Sequence, residues 1–258
     1  MKGYFKNFWH YRYLLYELVQ KGIVLKYRRS YLGIIWSLLE PILTTIVLTL
    51  VFGTLFGNTN PQFPLYILIG RLLYSCFSTG TKGALRSIRA NAGMIKKVYV
   101  PKYLYPLSSV LFNYVIFLLS LIVLFIWGIL VKAYPNWRWF GLLFPLLVLL
   151  VMTFGVGMIL ATVAVFFRDM EYLWDVLLMI VMYTCAIFYY PDRLLKSGYS
   201  FVLQLNPLYG VVANARHIVF AEPLDWGMMA YAVLFALGSL LIGLYVFNKH
   251  QDEFILYI

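Results

Sequence analysis

Charge is what this sequence has least of. Asp, Glu, Lys and Arg make up 12% of its 258 residues, against 63% hydrophobic residues, where soluble domains average about 25% charged and about 45–50% apolar. With a mean hydropathy of +0.82, such a chain is an integral membrane protein. Acidic residues are the scarcer sign, 10 against 21 Lys and Arg, for a net charge of +11. In a soluble protein that excess points to nucleic acid. In a membrane protein Lys and Arg gather in cytoplasmic loops for topological reasons, so no nucleic-acid partner is expected. The two cysteines, Cys76 and Cys185, lie inside apolar runs, which excludes a disulfide framework, a zinc site or a redox pair. No His/Glu cluster has metal-site spacing, and no Ser/His/Asp set stands out. The chain lacks G-x-x-x-x-G-K-[ST], so no nucleotide site of its own is expected. The first 33 residues are basic and aromatic rather than a short apolar core with a small-residue cleavage site, and the first span is expected to serve as its own uncleaved insertion signal.

What is present begins at Lys26–Pro41, KYRRSYLGIIWSLLEP. Lys26, Arg28 and Arg29 stop abruptly, and the chain then stays apolar to about Gly57. A cationic cluster against a long apolar run is the cytoplasmic edge of a first transmembrane helix. Ahead of it, residues 4–32 read as a helix on the membrane surface. Tyr11, Leu14, Leu15, Leu18, Val19 and Leu25 share one face; His10, Glu17, Gln20 and Lys21 share the other. Phe5, Phe8, Trp9, Tyr13 and Tyr16 suit the headgroup level.

A hydrocarbon core of about 30 Å takes about 20 apolar residues to cross. Six stretches qualify: 34–56, 64–84, 107–131, 140–166, 173–190 and 226–248. The second is interrupted by Arg71 and by Ser, Thr and Gly; the fifth is short. With the N-terminus inside, the inner segments hold 15 of the 21 cations and the outer ones 5, with Arg71 inside a span. Both termini are therefore expected in the cytoplasm. Residues 82–106 form a basic inner segment with Lys82, Arg86, Arg89, Lys96, Lys97 and Lys102. On the outside, residues 191–225 carry an apolar part from Tyr199 to Phe220 that Pro207 breaks in half. Each half is too short to cross, which predicts a re-entrant pair of helices between protein walls, with a surface hairpin as the alternative. No internal repeat is evident, and the whole of 1–258 reads as one domain.

Buried polar groups are the sharper signal. Trp36, Glu40 and Thr44 recur every fourth residue on the first span; Arg71, Ser75, Ser78 and Lys82 line one face of the second. A charge at membrane depth is costly, so such groups face a partner or a wet cavity. A Glu40–Arg71 pair and snorkelling of Arg71 to the outer interface are both open. Gly155 and Gly157, and Gly53 with Gly57, are candidates for close helix packing. Tyr183 and Tyr190, seven apart on the fifth span, are positioned to line a path whose aromatic faces stack on the C–H side of sugar rings.

RRSYLGIIWSLLEP, FPLYILIG, MIKKVYVPKYLYPLS, VFFRDMEYLWD, LNPLYG with Arg216, and the ending KHQDEFILYI together resemble, in order and across the whole chain, the permease subunits of bacterial polysaccharide and polyol-phosphate ABC exporters. The O-antigen and teichoic-acid exporters are the nearer match, and capsule permeases the more distant one. The resemblance implies a homodimer in the bacterial cytoplasmic membrane, bound to two copies of a separate ATPase that holds ATP and Mg, with no cofactor in this chain. The cargo would be a lipid-linked polysaccharide carried through a conduit lined by spans one and five. Trp36, Glu40, Thr44, Arg71, Ser75, Tyr183 and Tyr190 are the candidate conduit residues. Arg28, Arg29, Lys96 and Lys97 are candidates for lipid phosphates. Asn91, Met94, Ile95, Pro101, Arg168 and Asp169 would couple to the ATPase, and Asn206, Pro207 and Arg216 would form the external gate. Glu40 stands where the family often has Asn, and Arg71 where it continues apolar, so both bear on substrate charge. Two rivals remain at this stage. A membrane enzyme acting on lipid-linked sugars would use Asp169, Glu171 and Asp175, whose expected job is instead contact with the partner. A passive channel would need no ATP.

Overall fold

A computed structural model describes Trp9 and residues 11–28, 30–57, 60–98, 100–192, 198 and 200–258. Among these every regular element is helical. Helix α1, Arg12–Tyr27, lies along the body with Leu15 buried and Tyr13 and Tyr16 exposed. Tyr11, Leu14, Leu18 and Val19 are shielded and Glu17, Gln20 and Lys21 exposed, as the periodicity predicts. Leu25 departs from that face and is exposed. The residues expected ahead of α1, Phe5, Phe8 and His10, lie outside the described residues, as do Arg29 and Tyr199.

Gly33, at φ +49°, turns the chain into a short 3-10 segment, Gly33–Ile35, and then α2, Trp36–Phe56. Pro41 has no N–H to give to the carbonyl of Ser37 one turn back. The hydroxyl of Ser120 on a neighbouring helix donates to that carbonyl at 2.9 Å. Apart from Ser37 and Thr45, α2 has no buried side chain. Gly57 ends it in the left-handed conformation, and a Cβ there would meet nothing within 4 Å among the described residues. Gly57 is thus a helix terminator here and makes no close packing among the described residues.

Helix α3, Phe63–Ala90, is the centre of the molecule. Its 28 residues rise about 42 Å, and most of its side chains are buried. That placement explains its weak hydropathy: neighbouring helices cover it, so Ser, Thr, Gly and Arg71 need not meet lipid. After the four-residue α4, Ala92–Ile95, come α5, Leu104–Leu130, a 3-10 segment, Trp137–Leu142, and α6, Leu143–Phe166. Helix α7, Met170–Thr184, buries only Leu178. Residues 185–188 are irregular yet wholly buried. The short α8, Phe201–Gln204, precedes α9, Pro207–Val219, α10, Trp226–His250, and α11, Phe254–Tyr257.

Among the described residues four elements are long and apolar enough to cross a membrane: Gly33–Phe56, Leu104–Leu130, Trp137–Phe166 and Trp226–His250. They coincide with four of the six expected spans. The other two stretches are helical as α3 and α7, but α3 is too polar for that test and α7, at 15 residues, rises only about 22 Å.

Helices α6 and α10 cross at backbone contact. A Cβ on Gly155 would stand 2.5 Å from the Leu240 nitrogen, and one on Gly243 would stand 2.6 Å from the Gly155 carbonyl oxygen. A Cβ on Gly157 would stand 2.8 Å from that of Ala84, so the close-packing expectation for Gly155 and Gly157 holds. At one end of the molecule, Ile88, Ile95, Tyr105, Val165, Phe247 and Phe254 form a cluster that ties the basic segment to α11. At the opposite end, Phe63, Tyr66 and Ile67 pack with Tyr190 and Phe220.

Candidate functional site

Five of the seven expected conduit residues share one cleft. Trp36, Glu40 and Thr44 of α2 face Arg71 and Ser75 of α3, with Lys26 and Tyr27 from α1 and Asn113 and Ser120 from α5. The spacing of four on α2 puts its three residues on one stripe, and the spacing of four on α3 does the same for Arg71 and Ser75. Trp36 and Glu40 are exposed. Thr44 returns its hydroxyl to the Glu40 carbonyl at 2.7 Å, and the Arg71 guanidinium lies 5.9 Å from the centre of the Tyr74 ring. Among the described residues no Glu40–Arg71 ion pair forms within 4.0 Å. The Lys26 side chain is exposed as a whole, yet protein packed around its ammonium pushes its pKa below the usual lysine value, with the Glu40 carboxylate acting against that shift. Asn113 and Ser120 escaped the sequence reading. Their signal was present, as polar side chains in an otherwise apolar helix.

The two tyrosines fall elsewhere. Tyr183 is 54% exposed on α7, and its carbonyl accepts from the Tyr189 hydroxyl at 2.7 Å. Tyr190 lines a second cavity at the opposite end of the molecule, together with Arg216.

The three residues expected at an external gate anchor irregular backbone. Pro207 is the first residue of α9, and Asn206 caps that helix by accepting from the Leu208 N–H at 3.1 Å. The Asn206 amide donates to the Val181 carbonyl and to the Thr184 hydroxyl, at 3.1 and 2.7 Å. Arg216 is 3% exposed. Its Nη1 donates to the Ala186 carbonyl at 3.0 Å, and Nε and Nη2 donate to that of Tyr66 at 3.2 and 3.1 Å. The guanidinium lies 3.4 Å from the centre of the Tyr66 ring. The Tyr66 hydroxyl in turn donates to the carbonyls of Ala186 and Tyr189. Irregular backbone away from water persists only when protein groups satisfy it; Arg216 and Tyr66 do so for the segment after α7, and Asn206 holds the last turn of α7. Gly70 makes room for this: a Cβ there would stand 2.5 Å from Nη2 of Arg216.

At the basic end, Arg28, Lys96 and Lys97 are exposed, and Lys96 donates to the Ile258 carbonyl. Asn91 ends α3 and donates to the Ser87 carbonyl. Ile95 is buried in the end cluster and Met94 packs against it; Pro101 is half-buried. Arg168 and Asp169 are exposed in the turn between α6 and α7. Glu171 and Asp175, expected at a contact with the partner, form ion pairs within the chain. Asp175 pairs with Lys82 at 2.7 Å, and Glu171 pairs with Arg86 and, at 3.5 Å, with Arg89. Trp174 adds an indole N–H to the Thr81 hydroxyl at 3.0 Å, and the Tyr74 hydroxyl reaches the Leu178 carbonyl at 3.0 Å. Basic residues recurring at about one turn on α3 thus meet acidic ones on α7 at the same interval. Partly exposed pairs of this kind are worth roughly 0.2–1 kcal/mol each. Asp175→Lys is therefore expected to lower the thermal midpoint of the purified protein modestly, and adding Lys82→Asp is expected to recover it. A double variant no better than the single one would overturn the pairing.

The ABC-2 type transporter family model matches residues 13–220. The chain is 30% identical over 260 residues to the O-antigen export system permease protein RfbA of Myxococcus xanthus, covering 96% of each protein. It is 27% identical to the RfbA of Klebsiella pneumoniae over 93% of each. To the polysialic acid transport protein KpsM of Escherichia coli it is 24% identical, over 91% of this chain and 92% of the other. An all-helical protein with four apolar membrane-length helices, a polar cleft cut into one side, and a family match over most of its length belongs to the ABC-2 type transporters, as a multi-pass membrane permease.

Proposed function

We propose that this permease is the transmembrane subunit of an ATP-driven exporter that moves a lipid-linked polysaccharide of O-antigen type across the bacterial cytoplasmic membrane. The observation that carries this reading is the polar cleft at Trp36, Glu40, Thr44, Arg71 and Ser75, in a chain similar over its length to O-antigen export permeases. In this reading the chain crosses the membrane six times with both termini in the cytoplasm. The α8–α9 pair is re-entrant from the outside, and α1 lies at the inner headgroups.

Two copies face each other through α2 and α7, whose apolar residues, among them Leu50, Leu55, Val176 and Ile180, are exposed in the single chain. Each copy is served by an ATPase subunit that binds ATP and Mg. ATP binding draws the ATPase pair together against the basic end, where Arg168, Asp169, Lys97 and the turn at Asn91 are at the surface. Because α7 is linked to α3 by three ion pairs and α3 is the central helix, the push reaches the conduit wall through a stiff element. Lys26, Arg28 and the exposed Lys97 present cations to a lipid phosphate, while Trp36 offers a face to sugar. A capsule polysaccharide is the second reading, favoured by the similarity to KpsM; a polyol-phosphate polymer of the teichoic-acid type is the third.

Reconstitution with the cognate ATPase in lipid vesicles tests this. Glycan movement is expected to require ATP hydrolysis, and movement with a hydrolysis-dead partner would sink the exporter reading. Arg71→Glu is expected to cut export by roughly tenfold, on the order of the 1.4 kcal/mol that one reversed charge contact costs, while ATP hydrolysis continues. Full export by that variant would remove Arg71 from the conduit.

A further inference from the structure

The cavity at the end opposite the basic segment has no part in the cleft. It encloses about 310 Å³ between the start of α3, the segment after α7, and α9. Its size falls at the low end of the roughly 300–1,000 Å³ range of small-molecule sites, enough for a single ring system. One wall is aromatic. The Tyr190 ring lies 4.6 Å from that of Tyr66 and 5.6 Å from that of Phe63, so its position is fixed on two sides. The remaining wall mixes acceptors and donors, chiefly Gln62, Asp192, His217 and Glu222. Nε2 of His217 is 3.6 Å from the Glu222 carboxylate.

The composition of the walls selects the ligand. A wholly apolar occupant would strip water from Gln62, Asp192 and Glu222 without replacing its hydrogen bonds. An anionic one would meet two carboxylates, since the three guanidinium contacts of Arg216 already serve backbone carbonyls. A pyranose has an apolar C–H face for the electron-rich face of an aromatic ring and a rim of hydroxyls that both donate and accept. We propose that this cavity is a saccharide subsite, holding one uncharged pyranose unit with its C–H face on Tyr190 and its hydroxyls on Gln62, Asp192, His217 and Glu222. The source of the sugar rests on the export reading; the binding does not. In an exporter the site lies at the exit, where it would hold the unit that has just emerged and oppose backsliding between ATPase cycles.

Saturation-transfer NMR on the purified permease–ATPase complex tests the subsite directly. The probes are methyl glucoside, methyl mannoside, N-acetylglucosamine and glucuronic acid. Signals are expected from ring C–H protons of the three uncharged sugars and not from glucuronic acid. Tyr190→Ala is expected to weaken binding about tenfold, the scale of a lost aromatic stack, and Tyr190→Phe, which keeps the ring, to retain it. Tyr245→Ala, at an exposed tyrosine of α10, serves as the control and should bind as the parent does. Equal signals from all variants, equal loss in the Ala and Phe variants, or a preference for glucuronic acid would each overturn the proposal. Glycan export is measured on the same complex. Export with no saccharide signal overturns the subsite and leaves the export reading standing. A signal lost in Tyr190→Ala from a complex that exports nothing supports the subsite and sinks that reading.

Discussion

Gly155→Ala is expected to lower the thermal midpoint of the purified permease by several degrees and to reduce the amount that accumulates in the membrane. The added Cβ would stand 2.5 Å from the Leu240 nitrogen, 2.6 Å from the Ser239 hydroxyl oxygen and 2.7 Å from the Ser239 carbonyl carbon. Two of those three atoms are backbone and cannot rotate away, so α6 and α10 must separate along a seam that also includes Gly243. Overpacking of this kind costs about 1–3 kcal/mol, and each kcal/mol is worth about 2–4 °C in a chain of this size. Gly238→Ala, on the same helix α10, where no described atom beyond the local helix backbone lies within 4 Å of the new Cβ, should lose nothing. It replaces the poorest ordinary helix former with the best. If the two variants melted alike, the close crossing of α6 and α10 would be wrong.

The largest loss is expected at Arg216. Arg216→Met keeps much of the volume but removes three charge-assisted hydrogen bonds and the contact with the Tyr66 ring. Such a truncation at a buried site costs about 3–5 kcal/mol, enough to release the buried irregular residues 185–188 and to abolish stable accumulation in many backgrounds. Gly70→Ala reaches the same network from the other side by driving Nη2 off the Tyr66 carbonyl. The two substitutions are therefore expected to be strongly non-additive: once Arg216 is gone, the Ala methyl has room. Thermal midpoints of the two single variants and the double one measure this. Free energies that add to within about 0.5 kcal/mol would show the sites to be independent and remove the pin.

The sequence was informative where one helix face or one run of residues decides the outcome. The apolar helices from Leu104, Trp137 and Trp226 were visible as hydropathy. The α1 face was visible as a period of 3.6, and the break at Pro207 as a proline inside an apolar run. It was incomplete where a residue's partner lies far along the chain. Hydropathy marked α3 as the weakest span because an apolar-run test assumes lipid on every side, whereas α3 is covered by protein. Glu171 and Asp175 resembled surface carboxylates for another subunit because their cations lie some ninety residues earlier in the chain. Arg216 read as a gate residue; nothing local to it shows that the carbonyls of Tyr66 and Ala186 converge there. The cleft was half legible. Trp36, Glu40 and Thr44 declare a shared stripe, and so do Arg71 and Ser75. That the two stripes face each other, with Lys26 at the edge and Tyr183 and Tyr190 elsewhere, follows from how the helices pack.

Membrane residence and the approximate places of the apolar helices were settled by composition and pattern alone, and the family by the resemblance of its motifs. Transfer of apolar residues from water is close to additive along a chain, so a run of them is sufficient information. Which polar groups form a cleft, which hold irregular backbone and which pair across helices was decided in three dimensions. A hydrogen bond or ion pair forms over about 3 Å of space, and the residues that meet at Arg216 are drawn from positions 66, 186 and 216.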